Sequence, residues 1–378
     1  MGRLWTKLAY LVNAHDDRTL SDAVKLINAI SHPDNLILIH VDKKYPKKFW
    51  EQSELFHILD QCPPCGERVM KSVKTSDWGK WNMNDPVLWA ISELTFNPLY
   101  NTTTYDKFIT LSGDSYPTMS QSYLHYLFGS NGPLKSYNFV TSIWCETGLR
   151  PTKYSEFPQK WHKRKAYPKP ILLKLANSTK KVDIFYGSQW MMLNSDFVAY
   201  MGRSLHDSNS FPSKLKDRFI EHRNVVTDEV YFPTILMNEE QFAASVPNVP
   251  KGQGLPGVEW LKTVRYERMD EHMPSCTGVF PDTQRYVAPE NIEPRVWGPY
   301  FLGINDLQNI KMSGALFFRK ISDTVEANLY NLFPVDLRED VDRLPVIDWG
   351  RETDYQISPR PTFREQNDQN RQKNNTQK

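Results

Sequence analysis

Strand-like and helix-like segments alternate through the first 140 residues, and this alternation constrains the fold more than any other feature of the sequence. Lys7–Val12 and Leu36–Val41 are short apolar runs with the composition of buried strands. One helical face between them carries the apolar residues Leu20, Ala23, Val24, Ile27 and Ile30. Further along, the patterns predict a strand near Val69–Val73, a helix from Asp85 to about Phe96 and a strand at Phe108–Leu111. This βαβ order predicts an α/β fold with a mostly parallel sheet and helices on both faces.

Polar residues follow several of these predicted strands. Asp16 follows the first strand, Asp42 ends the second, Trp78 follows the third and the loop Ser112–Ser115 follows the fourth. Ligands of such sheets bind beyond the carboxyl ends of the strands, so we expect these residues to converge. Taken alone, an aspartate at a loop end is more often a turn or cap residue, and that alternative stays open for Asp16 and Asp114.

The composition is that of an ordinary soluble protein. Hydrophobic residues make up 40% and charged residues 24% of the 378 residues, and the net charge of +2 gives no argument for nucleic-acid binding. No apolar run reaches about 18 residues, so the sequence encodes no membrane span. The first strand begins near Lys7 and leaves no room for a signal peptide. We therefore expect either a cytoplasmic protein or one whose N-terminal anchor is missing from this chain.

The cysteines and glycosylation sequons leave the compartment open. The cysteines Cys62, Cys65, Cys145 and Cys276 are compatible with two disulfides but do not require them. Cys62-Pro-Pro-Cys65 resembles a redox pair, but it does not lie at a strand-to-helix junction, so a structural disulfide or free thiols are the better interpretation. The sequons are Asn101–Thr103, Asn177–Thr179 and Asn374–Thr376, a number close to chance.

Several common motifs are missing from the sequence. It contains no Walker loop, no Gly-x-Gly-x-x-Gly and no His-Glu-x-x-His, which excludes the simplest nucleotide and zinc sites. No clear Asp-x-Asp follows the apolar strands. Residues 150–181 break the alternation with many basic side chains; a solvated loop is the simpler explanation, and a site for an anionic or sugar-rich acceptor is the alternative. Residues 358–378 are strongly polar, which predicts disorder.

Asp228 and Glu229 begin an apolar segment of roughly helical spacing that runs to Leu236. Thr227 is predicted to cap this helix, and early acidic side chains suit its partial positive charge. A carboxylate held there, beside the glycine turn at Gly187, suits a general base that faces a bound substrate. The alternative is that both acids only complement the helix dipole.

A second candidate lies near the C-terminus. Ser313–Lys320 reads as an apolar strand that ends in two adjacent cations, Arg319 and Lys320. Fixed positive charge of this kind can stabilise a diphosphate leaving group without a metal. A solvated strand end is the alternative.

Together these segments resemble the core-2/I-branching β-1,6-N-acetylglucosaminyltransferase family, which also contains peptide O-xylosyltransferases and plant β-glucuronosyltransferases. The resemblance spans roughly Lys7 to Phe333, and its blocks stand in the family's order. The blocks are Ala9–Val12, His32–Pro33 with Ile39–Asp42, Trp78–Trp81, Phe108–Pro117, Gly187–Trp190, Thr227–Phe232 and Ser313–Lys320.

The resemblance implies a GT-A-type glycosyltransferase fold in one catalytic domain over residues 5–350. Residues 5–140 would form the nucleotide-sugar-binding half, residues 141–350 the acceptor-binding and catalytic half, and residues 351–378 a disordered tail. It implies an inverting, metal-independent reaction with no cofactor, a UDP-sugar donor and a glycan or glycoprotein acceptor. It also implies the Golgi lumen, reached through an N-terminal anchor missing here, and gives no role to nucleic acid.

The resemblance also implies roles for individual residues. Glu229 would be the catalytic base. The donor-binding residues would be Val12, Asp42, Trp78, Gly79, Asp114, Ser115, Arg295 and Lys320, and the acceptor-binding residues would be Gly187, Ser188, Gln189, Trp190, Asp228 and Arg268.

Two departures from the family pattern concern the substrates. Ser115 stands where relatives usually carry aspartate, and Met269 stands where relatives tend to have tryptophan, which stacks on sugars better. The donor sugar therefore stays open among GlcNAc, xylose and glucuronic acid. Two rival functions also stay open. One is a sugar-binding relative without turnover. The other is a glycoside hydrolase, which would need a second acid about 5–10 Å from Glu229.

Overall fold

The computed structural model describes residues 6–32, 34–44, 75–77, 79–98, 105–129, 132–140, 142–144, 171–176, 178–224, 226–246, 265–267, 301–312, 315–322 and 327–333. Several sequence-based expectations lie outside these ranges and remain predictions. They concern the strand near Val69–Val73, the four cysteines, most of the basic segment 150–181, the tail 351–378 and the site residues Trp78, Arg268 and Arg295.

The elements of the first 140 residues match the sequence patterns closely. They are β1 (Leu8–Ala14), α1 (Asp17–Ile30), β2 (Asn35–Val41), α2 (Asp85–Phe96), β3 (Lys107–Ser112), β4 (Ser115–Pro117) and α3 (Gln121–Phe128). The predicted strands Lys7–Val12, Leu36–Val41 and Phe108–Leu111 are confirmed, with bounds that shift by at most two residues, and the predicted helix Asp85–Phe96 is confirmed as well.

The described residues beyond 140 form shorter strands and further helices. Its strands are β5 (Ile143–Trp144), β6 (Ile171–Lys174), β7 (Thr179–Val182), β8 (Phe185–Tyr186), β9 (Met192–Asn194), β10 (Arg265–Glu267) and β11 (Phe317–Arg319). Its helices are α4 (Ser195–Leu205), α5 (Phe211–Glu221), α6 (Tyr231–Asn238), α7 (Glu240–Ala243) and α8 (Leu307–Met312). Short 3₁₀ turns lie at Trp81–Met83, Thr227–Glu229, Ile304–Asp306 and Ala327–Leu332.

The central sheet has the strand order β2-β1-β3-β9. β1 pairs in parallel with both neighbours, and the pairing aligns Val12 with Ile39 on one side and with Leu111 on the other. β9 pairs antiparallel with β3. Three parallel strands therefore end at one edge, which is where the family resemblance places the donor.

Helices cover both faces of this sheet, because alternate residues of β1 enter two different cores. Leu8, Tyr10 and Val12 pack in a cluster with apolar residues of α1 and α3. Ala9 and Leu11 pack in a second cluster with apolar residues of α2 and α4. The predicted α/β class, with a mostly parallel sheet and helices on both faces, is confirmed.

Asp16 fixes the start of α1. Its Oδ1 accepts a hydrogen bond from the Thr19 N–H at 2.7 Å, and the Thr19 Oγ1 accepts one from the Asp16 N–H at 3.1 Å. This reciprocal pair is a capping box. Asp16 is therefore a helix cap, the alternative that the sequence left open.

Gly113 brings the loop after β3 against the first turn of α1. A Cβ atom at this position would lie 2.0 Å from the Thr19 carbonyl oxygen, so no larger residue fits without movement. The chain then enters β4, which pairs antiparallel with β11 in the sheet β10-β11-β4. Of the described residues 315–320 of the predicted strand Ser313–Lys320, Phe317–Arg319 pairs as a strand.

Candidate active site

The turn Val226–Glu229 is the centre of the candidate site. Val226 has φ 45° and ψ 44°, and this left-handed conformation costs a β-branched residue about 1–3 kcal/mol. The Val226 N–H donates to the Gly79 carbonyl at 3.3 Å, and the Glu229 N–H donates to the Val226 carbonyl at 3.1 Å. Gly79 also has positive φ, 70°. Two left-handed residues thus meet beside Glu229. Glycine adopts this conformation without strain, so the strain lies at Val226, and strain of this kind concentrates at functional sites.

The expected capping role of Thr227 is wrong. Its Oγ1 accepts a hydrogen bond from Nδ2 of the buried Asn84 at 3.0 Å, so the hydroxyl faces the start of α2. Helix α6 begins only at Tyr231, and Val230 before it makes no side-chain cap. The two acids therefore lie in a separate 3₁₀ turn that precedes the helix.

The two neighbouring acids differ in environment. The Asp228 residue is 5% exposed, and its Oδ1 has no hydrogen-bond partner. Burial raises the pKa of Asp228 to about 7. Glu229 is only half-buried. Near neutral pH, Asp228 is therefore disposed to carry a proton, while Glu229 lies closer to the surface.

The segment Gly187–Trp190 packs against this turn. The Gly187 N–H donates to the Glu229 carbonyl at 2.7 Å. The Gln189 carbonyl accepts from Thr110 Oγ1 at 3.0 Å, and the Trp190 N–H donates to Ser188 Oγ at 3.2 Å. The predicted acceptor segment is thus anchored to β3 at one end and to the Glu229 turn at the other.

Asp114 is the centre of an ion-pair network at the carboxyl end of β3. Its side chain is completely buried, and its Oδ1 accepts from Ser112 Oγ at 2.5 Å. Arg18 Nη2 lies 3.3 Å from its Oδ2, and Arg319 Nε lies 3.5 Å from its Oδ1. Burial acts to raise the pKa of Asp114, but Arg319, the Ser112 hydrogen bond, Lys320 and Arg18 outweigh it and lower the pKa to about 2. Asp114 is therefore ionised at every physiological pH.

Arg319 joins this network to the acceptor segment. It lies at the end of β11, where it pairs in register with Ser115 of β4. Its guanidinium lies 4.8 Å from the ring centroid of Trp190, within the range of a cation–π contact. Trp190 is 8% exposed and Arg319 is 7% exposed. The donor-side and acceptor-side residues of the prediction thus meet through an arginine.

Lys320 follows Arg319 and is half-buried. Its ammonium lies 6.0 Å from the ring centroid of Phe301, and the Arg18 guanidinium lies 4.7 Å from the same centroid. Its carbonyl accepts from the Leu302 N–H at 2.8 Å. Arg18, Arg319 and Lys320 therefore form a group of three cations around Asp114 and Phe301.

Asp42 lies at the end of β2. It contacts Lys44, in the turn after this strand, and Ser76, in the segment 75–77. It is 3% exposed, its Oδ1 accepts from the Lys44 N–H at 2.9 Å, and its Oδ2 accepts from the Ser76 N–H at 3.1 Å. Lys44 Nζ in turn lies 2.8 Å from Asp77. The carboxylate thus holds the two segments together beyond the sheet edge.

Of the remaining predicted site residues, two are described by the structure and three are not. Val12 lies in the sheet core, completely buried, and Ser115 Oγ lies 3.0 Å from Ser112 Oγ. Trp78, Arg268 and Arg295 lie outside the described residues.

Sequence reasoning missed Arg18 and Asn84. Arg18 lies on α1, 96 residues from Asp114, and Asn84 lies 143 residues from Thr227. Their positions in sequence carried one weak signal, since each stands near the start of a predicted helix at the carboxyl edge of the sheet.

The described ranges contain neither a metal-ligand cluster nor a membrane-spanning helix. No three His, Cys, Asp or Glu side chains in these ranges are grouped as metal ligands would be. No helix in the same ranges has the length and apolar character needed to cross a bilayer.

A known protein family matches more than half of this chain. The model of the Core-2/I-Branching enzyme family matches residues 8–261, and the block Ser313–Lys320 lies beyond this match. Xylosyltransferase 2 of Rattus norvegicus and that of Mus musculus are each 23% identical over 244 residues, which is 64% of this chain and 26% of theirs. The chain thus spans about a quarter of the length of these relatives.

A solved structure is also similar. The crystal structure of mouse Xyloside xylosyltransferase 1 in its apo form aligns with 68% of this chain and 94% of its own, at 10% identity and a TM-score of 0.31. That likeness is too weak to carry an argument, whereas the family match covers well over half of the 378 residues. The chain therefore belongs to the Core-2/I-Branching enzyme family of glycosyltransferases.

Proposed function

We propose that this protein is an inverting glycosyltransferase that moves a sugar from a UDP-sugar to a hydroxyl of a glycan or glycoprotein, with Glu229 as general base and no metal ion. The observation that supports this most is the packing of the Val226–Glu229 turn against Gly79 and Gly187. Three segments far apart in sequence, all within the family match, are hydrogen-bonded through their backbones at this turn.

In the proposed reaction, Glu229 takes the proton from the acceptor hydroxyl. The oxygen attacks the anomeric carbon from the face opposite the UDP, which leaves with the bonding electrons, so the configuration inverts. One carboxylate is enough, because a diphosphate leaves without the protonation that a sugar alkoxide needs. Asp228, whose pKa is raised to about 7 by burial, is largely protonated below that pH and then places no second negative charge beside the base.

The leaving group would be stabilised by cations of the protein. Lys320 and Arg295 take this role in the proposal, Arg295 on the family resemblance alone. Arg319 contributes positive charge at the same strand end. Positive charge fixed in place before the reaction stabilises developing negative charge without the cost of reorganising solvent.

The names of the relatives guide the choice of the proposed donor sugar. Two relatives are named xylosyltransferases, so xylose is the first donor sugar to test, ahead of GlcNAc and glucuronic acid. Val12, Asp42, Trp78, Gly79, Asp114 and Ser115 complete the proposed donor side. Gly187–Trp190, Asp228 and Arg268 form the proposed acceptor side. The proposed location is the Golgi lumen.

A UDP-release assay with UDP-xylose, UDP-GlcNAc and UDP-glucuronic acid, run with and without EDTA, tests this proposal. We expect UDP release from one donor at a rate that EDTA does not change. Loss of release in EDTA would overturn the metal-free reaction and assign the charge stabilisation to an ion. Failure of the protein to bind or release UDP with any donor or acceptor would overturn the enzyme itself, in favour of a sugar-binding relative.

A further inference from the structure

The Arg18 side chain connects two acids that belong to different parts of the fold. Its Nη1 lies 3.2 Å from Asp22 Oδ2, one turn along α1, and its Nη2 lies 3.3 Å from Asp114 Oδ2, in the loop after β3. Asp22 is itself held at its other oxygen by the Tyr330 hydroxyl, at 3.3 Å. One nitrogen of the guanidinium thus contacts the helix and another contacts the loop, a planar geometry that lysine cannot reproduce.

Asp114, which Arg18 holds in place, in turn contacts the residues at the end of β11. The same carboxylate that accepts from Arg18 lies 3.5 Å from Arg319 Nε, and the Asp114 carbonyl accepts from the Ile321 N–H at 3.0 Å. Both contacts flank Lys320, the cation proposed to hold the diphosphate. The position of Lys320 therefore depends on Asp114, and the position of Asp114 depends on Arg18.

The charges of this network favour an anion. Arg18, Arg319 and Lys320 face two carboxylates, Asp22 and Asp114, so the described network carries one positive charge in excess. Arg18 and Lys320 also approach the same Phe301 ring. Excess positive charge at the ligand-binding edge of a parallel sheet attracts an anionic ligand.

We propose that Arg18 is a positioning residue for the donor site: it ties Asp114 to α1 and so holds Arg319 and Lys320 in the geometry that receives the donor diphosphate. This inference rests on the proposed function. Arg18 acts through Asp114 and the strand end, and it does not transfer a proton.

The test compares Arg18→Gln with a matched control, Arg218→Gln, which removes an arginine from α5 whose ion pair with Glu221 spans 4.0 Å. Donor KM, kcat and the Kd for UDP by titration calorimetry are measured for each. For Arg18→Gln we expect donor KM and UDP Kd to rise about tenfold, with a smaller change in kcat. Arg218→Gln is expected to match the wild type.

Two further variants keep the test decisive if Arg18→Gln folds poorly. Arg18→Lys keeps the charge but cannot bridge both acids, so an intermediate rise in donor KM and UDP Kd is expected. Asp114→Asn keeps the shape of the loop but releases both arginines, so a rise at least as large as that of Arg18→Gln is expected. Donor KM and UDP Kd within twofold of wild type in a folded Arg18 variant would overturn the inference. A wild-type protein that binds no UDP would instead overturn the proposed function on which it rests.

Discussion

At the scale of single residues, the difference between Asp228 and Glu229 arises from burial rather than from chemistry. Sequence places two acids side by side but does not say which one reaches the surface. The structure buries Asp228 with an unpartnered Oδ1 and leaves Glu229 half-buried. The neighbouring Thr227 shows why the local capping rule fails here. Its hydroxyl oxygen would accept a backbone N–H in a helix cap, but it accepts the side-chain N–H of the buried Asn84, 143 residues away.

The raised pKa of Asp228 predicts a pH-dependent stability. The folded-state pKa of about 7 lies above the ordinary aspartate value of 3.8, so the folded protein binds the extra proton and loses stability as pH rises towards 7. Asparagine at 228 does not titrate. We therefore expect the stability of Asp228→Asn relative to wild type to increase by about 1–3 kcal/mol between pH 5 and pH 8.

Urea denaturation at both pH values measures this difference. Asp207→Asn, at an exposed position, serves as the control and should show the same offset from wild type at pH 5 and pH 8. An offset for Asp228→Asn that does not change with pH would contradict the buried, protonated carboxyl.

At the scale of elements, the candidate site depends on how the loop after β3 meets the first turn of α1. Sequence located both elements, because their apolar patterns have the periods of a strand and of a helix. It did not show that Gly113 lies against the Thr19 carbonyl, or that Asp114 then faces Arg18. Contacts of this kind join elements through tertiary packing, which a local pattern does not encode.

A methyl group at Gly113 should force these elements apart. The added Cβ would lie 2.0 Å from the Thr19 carbonyl oxygen, so Gly113→Ala should lower the free energy of unfolding by about 1–3 kcal/mol. It should also weaken UDP binding, because Asp114 moves with the loop. Urea denaturation and UDP titration check the two effects.

Gly303→Ala is the matched control, since a Cβ there would have no neighbour within 4 Å. Its stability should stay within about 0.5 kcal/mol of wild type. Equal stability of Gly113→Ala and Gly303→Ala would show that the close approach of loop and helix is not a real constraint.

At the scale of the whole molecule, the sequence predicted the α/β class and the mostly parallel sheet better than it predicted the contacts of the site. The parallel pairing of β1 with β2 and β3 agrees with the mostly parallel sheet that the βαβ pattern predicted, and the family match covers the blocks up to residue 261. Gly79 and Gly187 both contact the Glu229 turn, and these contacts depend on the tertiary path of the chain between the three segments. No pattern in the sequence alone gives the 4.8 Å contact between Arg319 and Trp190.

The most direct test of the central claim is the transfer rate of Glu229→Gln together with its affinity for UDP. Glutamine keeps the shape of the side chain but cannot accept the acceptor's proton, so kcat should fall by about 10²–10⁴-fold while UDP Kd stays unchanged. Glu221→Gln, a change at a 75% exposed side chain, should leave both values as in wild type. A Glu229→Gln protein that keeps its kcat would contradict the assignment of the base, and one that loses UDP affinity in parallel would make Glu229 part of donor binding instead.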